Sequence, residues 1–240
     1  MAQEIGNLSL VGFLDGITAT GIVFFSVLFG LIAFYNARKL GAKLLSIAGV
    51  SMIFVGLFWL GPMTDFFMVL LTGNNLNPTY LYGWLSYIWV WPAVCISFYL
   101  GGELIFPKWK KTIVIVYAIL GIIFEYFLLS NPYTAFTAES LIRPEPGNLI
   151  DTSFSRATPA YYLILLFMLS VFIFLVIGFA IKAIQSTGAL RKKFLYLSLG
   201  WIVFIICGLF DSLTHPEVYL IIWRGAMMAF APLMYLGLKT

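Results

Sequence analysis

Seven stretches of this chain are long and apolar enough to cross a lipid bilayer, and no other feature narrows its fold as much. A spanning helix needs roughly 20 mainly apolar residues. That rule places spans near 14–37, 44–71, 81–105, 112–130, 160–184, 194–213 and 219–238. Composition leaves no soluble alternative, because 62% of the residues are hydrophobic, 10% are charged, and the mean hydropathy is +0.99. Soluble domains carry about 25% charged residues, and a surface so poor in charge needs lipid around it. The expected fold is therefore all-α, a polytopic seven-transmembrane-helix bundle forming one domain over residues 1–240. The first span is too long for the apolar region of a cleavable signal, and residues 1–9 carry no Lys or Arg.

The connections alternate in charge. Ala-Arg-Lys-Leu-Gly-Ala-Lys follows the first span, Phe-Pro-Lys-Trp-Lys-Lys the third, and a stretch ending Leu-Arg-Lys-Lys the fifth. The other connections hold Asn, Pro, Asp, Glu and Thr. Arg38, Lys39, Lys43, Lys108, Lys110, Lys111, Lys182, Arg191, Lys192, Lys193 and Lys239 put eleven of the fourteen basic residues on one side. Nine of the ten acids fall toward the other, Glu103 being the exception. The positive-inside rule then sets the N-terminus outside and the C-terminus in the cytoplasm of a multi-pass cell-membrane protein. The cytoplasmic loops are too short for a kinase, cyclase or nucleotide-binding motif. The longest connection, roughly 131–159, lies outside, and its Arg-Pro-Glu-Pro-Gly segment (143–147) cannot be regular helix, since proline removes donors and fixes φ. It reads either as a lid over an outer vestibule or as a plain connector.

Two segments match without gaps. Leu-Ser-Ile-Ala-Gly-Val-Ser-Met-Ile-Phe-Val-Gly-Leu-Phe (45–58) and Leu-Ser-Leu-Gly-Trp-Ile-Val-Phe-Ile-Ile-Cys-Gly-Leu-Phe (197–210) share six of fourteen positions. Both run outward from a basic loop, so spans two and six correspond, and spans three and seven each carry a mid-membrane proline, Pro92 and Pro232. A 3+1+3 repeat would follow. Repeats with broken helices are a feature of transporters; proline kinks that only shape packing are the plainer reading.

Ionisable side chains inside a bilayer cost about 2.5–3.5 kcal/mol each at mid-depth, and so normally face the bundle and find partners. Arg224 lies a few residues past the turn His215-Pro216-Glu217, about 10 Å deep at the rise of a helix. Asp211, on the other arm of that hairpin, is its expected partner. Glu125 rises roughly 20 Å from the inner side in span four, Asp65 follows the Gly61-Pro62 break in span two, and Asp15 begins span one. One reading is a structural Arg224–Asp211 pair locking two helices, with Glu125 neutral and hydrogen-bonded. Another is a ligand or ion site in an outward-facing pocket, in which Arg224, Asp211 and Glu125 bind or gate and Asp65 stands at the rim. A proton relay is a third. Tyr82, Trp84, Tyr87, Trp89 and Trp91, with Trp59 and Trp223 at similar depth, read as an interfacial belt or, where they face inward, as an aromatic pocket.

The chemistry of an enzyme is not expected. His215 is the single histidine and has no companion ligands, and no Ser-His-Asp set, HExxH, glycine-rich phosphate loop or CxxC occurs. Cys95 and Cys207 sit in apolar runs as small hydrophobes. Asn7 heads an Asn-Leu-Ser glycosylation triplet, meaningful only in a host that glycosylates. No catalytic residue, metal, cofactor or nucleic acid is implied. The expected partners are the lipid bilayer, a small-molecule ligand, and a cytoplasmic or membrane partner protein.

The phrases Tyr-Asn-Ala-Arg-Lys-Leu-Gly-Ala-Lys-Leu-Leu (35–45) and Ala-Ile-Gln-Ser-Thr-Gly-Ala-Leu-Arg-Lys-Lys-Phe-Leu-Tyr-Leu-Ser (183–198) resemble an uncharacterised archaeal seven-transmembrane-helix protein family. That resemblance covers most of the chain, Asp211 and Arg224 included, and implies no known function. In topology the chain also resembles microbial rhodopsins, whose retinal is carried on a lysine in the last helix. Here the last span holds only the terminal Lys239, so retinal is not implied. The 3+1+3 order is similar to sugar-efflux and PQ-loop transporters, without the Pro-Gln signature, and the topology resembles the seven-helix sensor regions fused to some prokaryotic histidine kinases. The leading expectation is a receptor-like or sensory subunit binding a small ligand in an outward-facing pocket. The alternatives are a small-solute transporter built on two three-helix repeats, and a non-catalytic assembly subunit.

Overall fold

Apolar runs of this length become helices because a bilayer offers no water to satisfy backbone N–H and C=O groups, and a helix satisfies them internally. The computed structural model describes residues 8–213 and 218–239, and in it all seven runs are helical. They are α1 (Leu10–Leu40), α2 (Lys43–Thr72), α3 (Tyr80–Ile105), α4 (Lys110–Ser130), α5 (Pro159–Ile184), α6 (Gly188–Ser212) and α7 (Ile221–Leu238). Asn7, which heads the glycosylation triplet, and the His215-Pro216-Glu217 turn lie outside the described residues. Helices α1 and α6 begin earlier than the apolar runs, since a helix continues past the membrane into its polar flanks. Ser9 accepts the Gly12 N–H at the start of α1, and Gly41, with φ 65°, returns its N–H to Ala37 at the end. The chain spans a membrane many times, and its outward side chains, such as Phe24, Leu31, Ile119 and Leu169, are exposed apolar groups suited to lipid.

Three helices are interrupted, each four residues before a proline. The 3-10 turn Leu57–Trp59 precedes Pro62 in α2, the helix of α3 breaks between Tyr87 and Val90 ahead of Pro92, and α7 breaks between Met227 and Phe230 ahead of Pro232. Proline has no N–H for the carbonyl four residues back and its ring crowds that carbonyl, so the ladder opens there. In α7, Met228 and Ala229 turn instead to Gly225 and Ala226, the tighter three-residue bond. Helix α5 has no proline beyond its first residue, yet Phe172–Ile177 forms a π turn. The Val176 carbonyl in that turn accepts the Ser198 hydroxyl of α6 at 3.0 Å.

The helices follow one another around the bundle in chain order, and α7 closes the ring against α1. Contacts of α2 with α7 and of α3 with α5 fill the interior. Helices α1 and α2 touch backbone to backbone: a Cβ at Gly49 would lie 2.6 Å from the Gly30 carbonyl oxygen, and one at Gly30 would lie 2.7 Å from that of Gly49. Small residues at such a crossing permit the dispersion contacts that hold helices together in lipid. Side-chain hydrogen bonds add directional links, Ser51 to Ser97 at 2.8 Å between α2 and α3, and Tyr117 to Ser170 at 2.6 Å between α4 and α5. Helix α4 is the most peripheral, with 17% of its apolar stretch buried against 50% for α2 and for α3.

The two ends of the bundle differ. At the acidic end the long connection 131–158 folds back as a cap, closed on itself by the antiparallel bridge Phe136–Phe154, with Phe136 and Ile150 buried. It is tied to α1 by the Ser9 N–H to Gly147 O bond and to the α2–α3 turn by Arg143 and Asn74. At the basic end the bundle opens into a recess of about 370 Å³ between α2, α3, α6 and α7.

Candidate functional site

Helix phase brings three ionisable groups together near the acidic end. The buried stripe of α1 runs Asp15, Thr18, Ala19, Ile22 and Val23, so Asp15 faces inward. Asp211 stands in the last turn of α6, and Arg224 lies on the buried side of α7 with Met227 and Phe230. Arg224 is 5% exposed, and it is the one buried cation among the described residues. Its Nε donates to Asp211 Oδ1 at 2.7 Å, and its Nη1 donates to Asp15 Oδ1. The guanidinium thus joins α1, α6 and α7. Planar, with its donors in a fixed fork, it suits two carboxylates on different helices as a lysine would not. Beside it, Phe210 and Trp223 stack with centroids 4.4 Å apart and planes 12° apart, fixing α6 on α7. The buried Tyr82 of α3 feels the charges of Arg224 and Asp15 and that of Asp151 in the cap.

The expected Arg224–Asp211 pair is present. The sequence placed Asp15 at the same layer but did not show it as a second partner, because α1 is apolar nearly all round and its residues do not mark which face turns inward. In sequence Tyr82 is one of the aromatics read as an interfacial belt or an inward-facing pocket, and Asp151 carries no mark that distinguishes it.

Asp65 belongs to a different network. It is fully buried, and its carboxylate accepts the Leu76 N–H at 2.7 Å, the Ile150 N–H at 2.8 Å and the Asn75 side-chain amide at 3.0 Å. Asn75 also donates to the Asn148 carbonyl. One carboxylate on α2 therefore fastens both the α2–α3 turn and the cap. Two backbone donors converge on it, and no cation approaches among its described bonds.

Glu125 is brought to neither network. It lies on α4 one turn beyond Gly121, where the Trp91 ring of α3 seats against the glycine. Both carboxylate oxygens are buried and accept no hydrogen bond among the described residues. An ionised carboxylate there would be costly and would gain nothing from a partner. Gln has the same shape and no charge, so Glu125→Gln should retain the fold, with a thermal unfolding midpoint within a few degrees of the unaltered protein. A large fall in that midpoint would mean that the carboxyl group itself holds α4 in place.

The cysteines are unpaired, Cys207 buried and Cys95 half-buried. Among the described residues no group of His, Cys, Asp and Glu has the arrangement of a metal site. The tryptophans divide by position: Trp59 is buried against Phe204, whereas Trp84 donates to the Leu128 carbonyl of α4 at 3.0 Å.

Fold and composition together define a multi-pass membrane protein with seven membrane-spanning helices and a buried ion trio near one end. No protein-family model and no curated protein matches the chain, so the resemblances rest on the quoted residues themselves.

Proposed function

We propose that the protein is a receptor-like sensory subunit of the cell membrane, with its N-terminus outside, in which the Asp15–Arg224–Asp211 trio is a latch opened by a small charged ligand at the outer face. The observation that carries this reading is the placement of Arg224. It holds α7 to α1 and α6 at the acidic end, four residues before the break at Met228, and the far end of α7 lines the recess at the basic end. A ligand that competes for Arg224 or for its aspartates frees the outer half of α7, and the break lets that half move on the inner half. Orientation follows from the eleven basic residues at the recess end. The cap, tied down through Asp65, is the element a ligand must displace or enter beneath.

A second reading has its own support. Helices α3 and α7 break in the same register before Pro92 and Pro232, and the α3–α5 contact mirrors the α7–α1 contact, as a two-fold relation between 3+1+3 halves requires. A small-solute transporter would use those breaks as hinges.

Two-sided thiol labelling separates the two. Cys95 and Cys207 are replaced, and Met228→Cys at the α7 break and Leu238→Cys at its far end are introduced singly into oriented membranes. The sensory reading expects Leu238→Cys to label from the basic side about fivefold or more faster when Asp211→Asn loosens the latch, a population shift of about 1 kcal/mol. It expects Met228→Cys to label from the outer side or from neither. Met228→Cys labelled from both sides means alternating access, and the transporter reading replaces it; an unchanged rate at Leu238→Cys refutes the latch.

A further inference from the structure

A sensor whose cytoplasmic connections are two to four residues long, as at 41–42, 106–109 and 185–187, has to hand its signal to something else. The recess at the basic end is built for such a contact. Its walls are apolar, with Leu44, Leu104, Phe194 and Leu238 among them, and Lys43 and Lys193 stand in its lining. No acid lines it. Glu103, the nearest acid in sequence, is already paired with Lys110. Arg38, Lys39, Arg191, Lys192 and Lys239 surround the mouth in sequence and carry the same sign.

The side walls are closed. The inner half of α5 packs on both α3 and α6, the inner half of α7 packs on α2 and α6, and α2 packs on α3. At Gly178 a Cβ would lie 2.8 Å from the Ile105 side chain, which shows how tightly α3 and α5 meet at this level. With its lining helices packed on one another or on α5, and with the exposed Lys43 in its lining, the recess lies at the basic end of the bundle within reach of water. An occupant enters from the aqueous phase, buries apolar surface against four helices and presents negative charge to the rim.

We infer that this recess docks an acidic amphipathic helix of a cytoplasmic partner protein, its apolar face on Leu104, Phe194 and Leu238 and its carboxylates on Lys43 and Lys193. The mode is helix-in-groove recognition, with apolar anchors for affinity and rim charges for partner choice. It rests on the sensory reading only for its purpose, since the surface itself does not depend on the latch.

The test uses the full chain in phosphatidylcholine nanodiscs, with a fluorophore on Thr187→Cys, exposed in the 185–187 connection and outside the lining of the recess, in the background lacking Cys95 and Cys207. The probe is a synthetic Leu/Glu amphipathic peptide of about 18 residues, five helical turns, and the control is its Leu/Lys counterpart. Saturable quenching by the Glu peptide, weakened about tenfold or more by Lys43→Glu with Lys193→Glu and by raised salt, is the expected result. Should the double reversal reduce yield, Lys43→Gln with Lys193→Gln replaces it, with a smaller loss in the same direction. Equal response to both peptides, or undiminished affinity in the lysine variants, overturns the proposal. So does a response to phosphatidylglycerol in the nanodisc that blocks the peptide, which would make the recess a lipid site. If Asp211→Asn leaves peptide affinity unchanged while the lysine variants abolish it, the docking surface stands and the latch fails.

Discussion

Arg224→Met is expected to destabilise the folded bundle by about 3–5 kcal/mol, the range seen when one member of a buried ion pair is removed. The cost comes from what remains. Asp15 and Asp211 are almost as buried as the arginine, with side chains 9% and 16% exposed, and without the guanidinium two carboxylates face each other in a medium that cannot screen them. The same reasoning predicts a rescue. Adding Asp15→Asn and Asp211→Asn to Arg224→Met removes the stranded charges and should recover most of the loss, because a neutral packed cluster is often as stable as the buried ions it replaces. Unfolding in mixed micelles, followed by the near-ultraviolet signal of Trp223 stacked on Phe210, reads both steps. A triple variant no more stable than Arg224→Met would show that the arginine acts through its packing and not through its charge.

That rescue also bears on function. A trio that existed only to join three helices would be replaced without loss by neutral residues, and the inner-end labelling of Leu238→Cys would not change. A latch responds differently. The neutral triple variant folds, yet it has lost the bond that an external charge can break, so α7 no longer answers to any ligand.

The spans were legible because each is a run of apolar residues long enough for the bilayer, and length and hydropathy are local properties. The breaks in α2, α3 and α7 were legible for the same reason, since Pro62, Pro92 and Pro232 act on carbonyls four residues away in the same helix. The π turn in α5 was not, because its cause lies partly on α6, where Ser198 supplies the hydrogen bond that the opened ladder uses. The site divides along the same line. Arg224 and Asp211 face each other across one hairpin, and their pairing followed from sequence spacing. Asp15 is 209 residues from Arg224, and only the closure of α7 onto α1 brings them together. Asp65 was placed correctly near the acidic end but was grouped with the ion trio by depth. Its donors are backbone N–H groups of Leu76 and Ile150, which any sequence supplies and no residue type advertises.

For that reason Asp65 carries the second large effect. Asp65→Ala leaves the Leu76 and Ile150 N–H groups and the Asn75 amide without their acceptor, at about 1–3 kcal/mol for each buried donor left unpaired. The loss should fall on the cap and not on the bundle. Residues 131–158 contact the helices through Phe136, Leu149 and Ile150 at one end of the molecule, while the α1–α2 crossing at Gly30 and Gly49 lies elsewhere and is unaffected. The expected result is faster hydrogen exchange at Ile150 and Leu76 by about 100-fold, equivalent to about 3 kcal/mol, together with tryptic cleavage after Arg156 in a chain whose helical content is unchanged. Asp65→Asn should fall between, since its amide oxygen keeps one acceptor while its NH₂ opposes a backbone donor. Helix loss in step with cap opening would make the cap part of the cooperative core, and a cap that cannot open without unfolding the bundle cannot admit a ligand to Arg224.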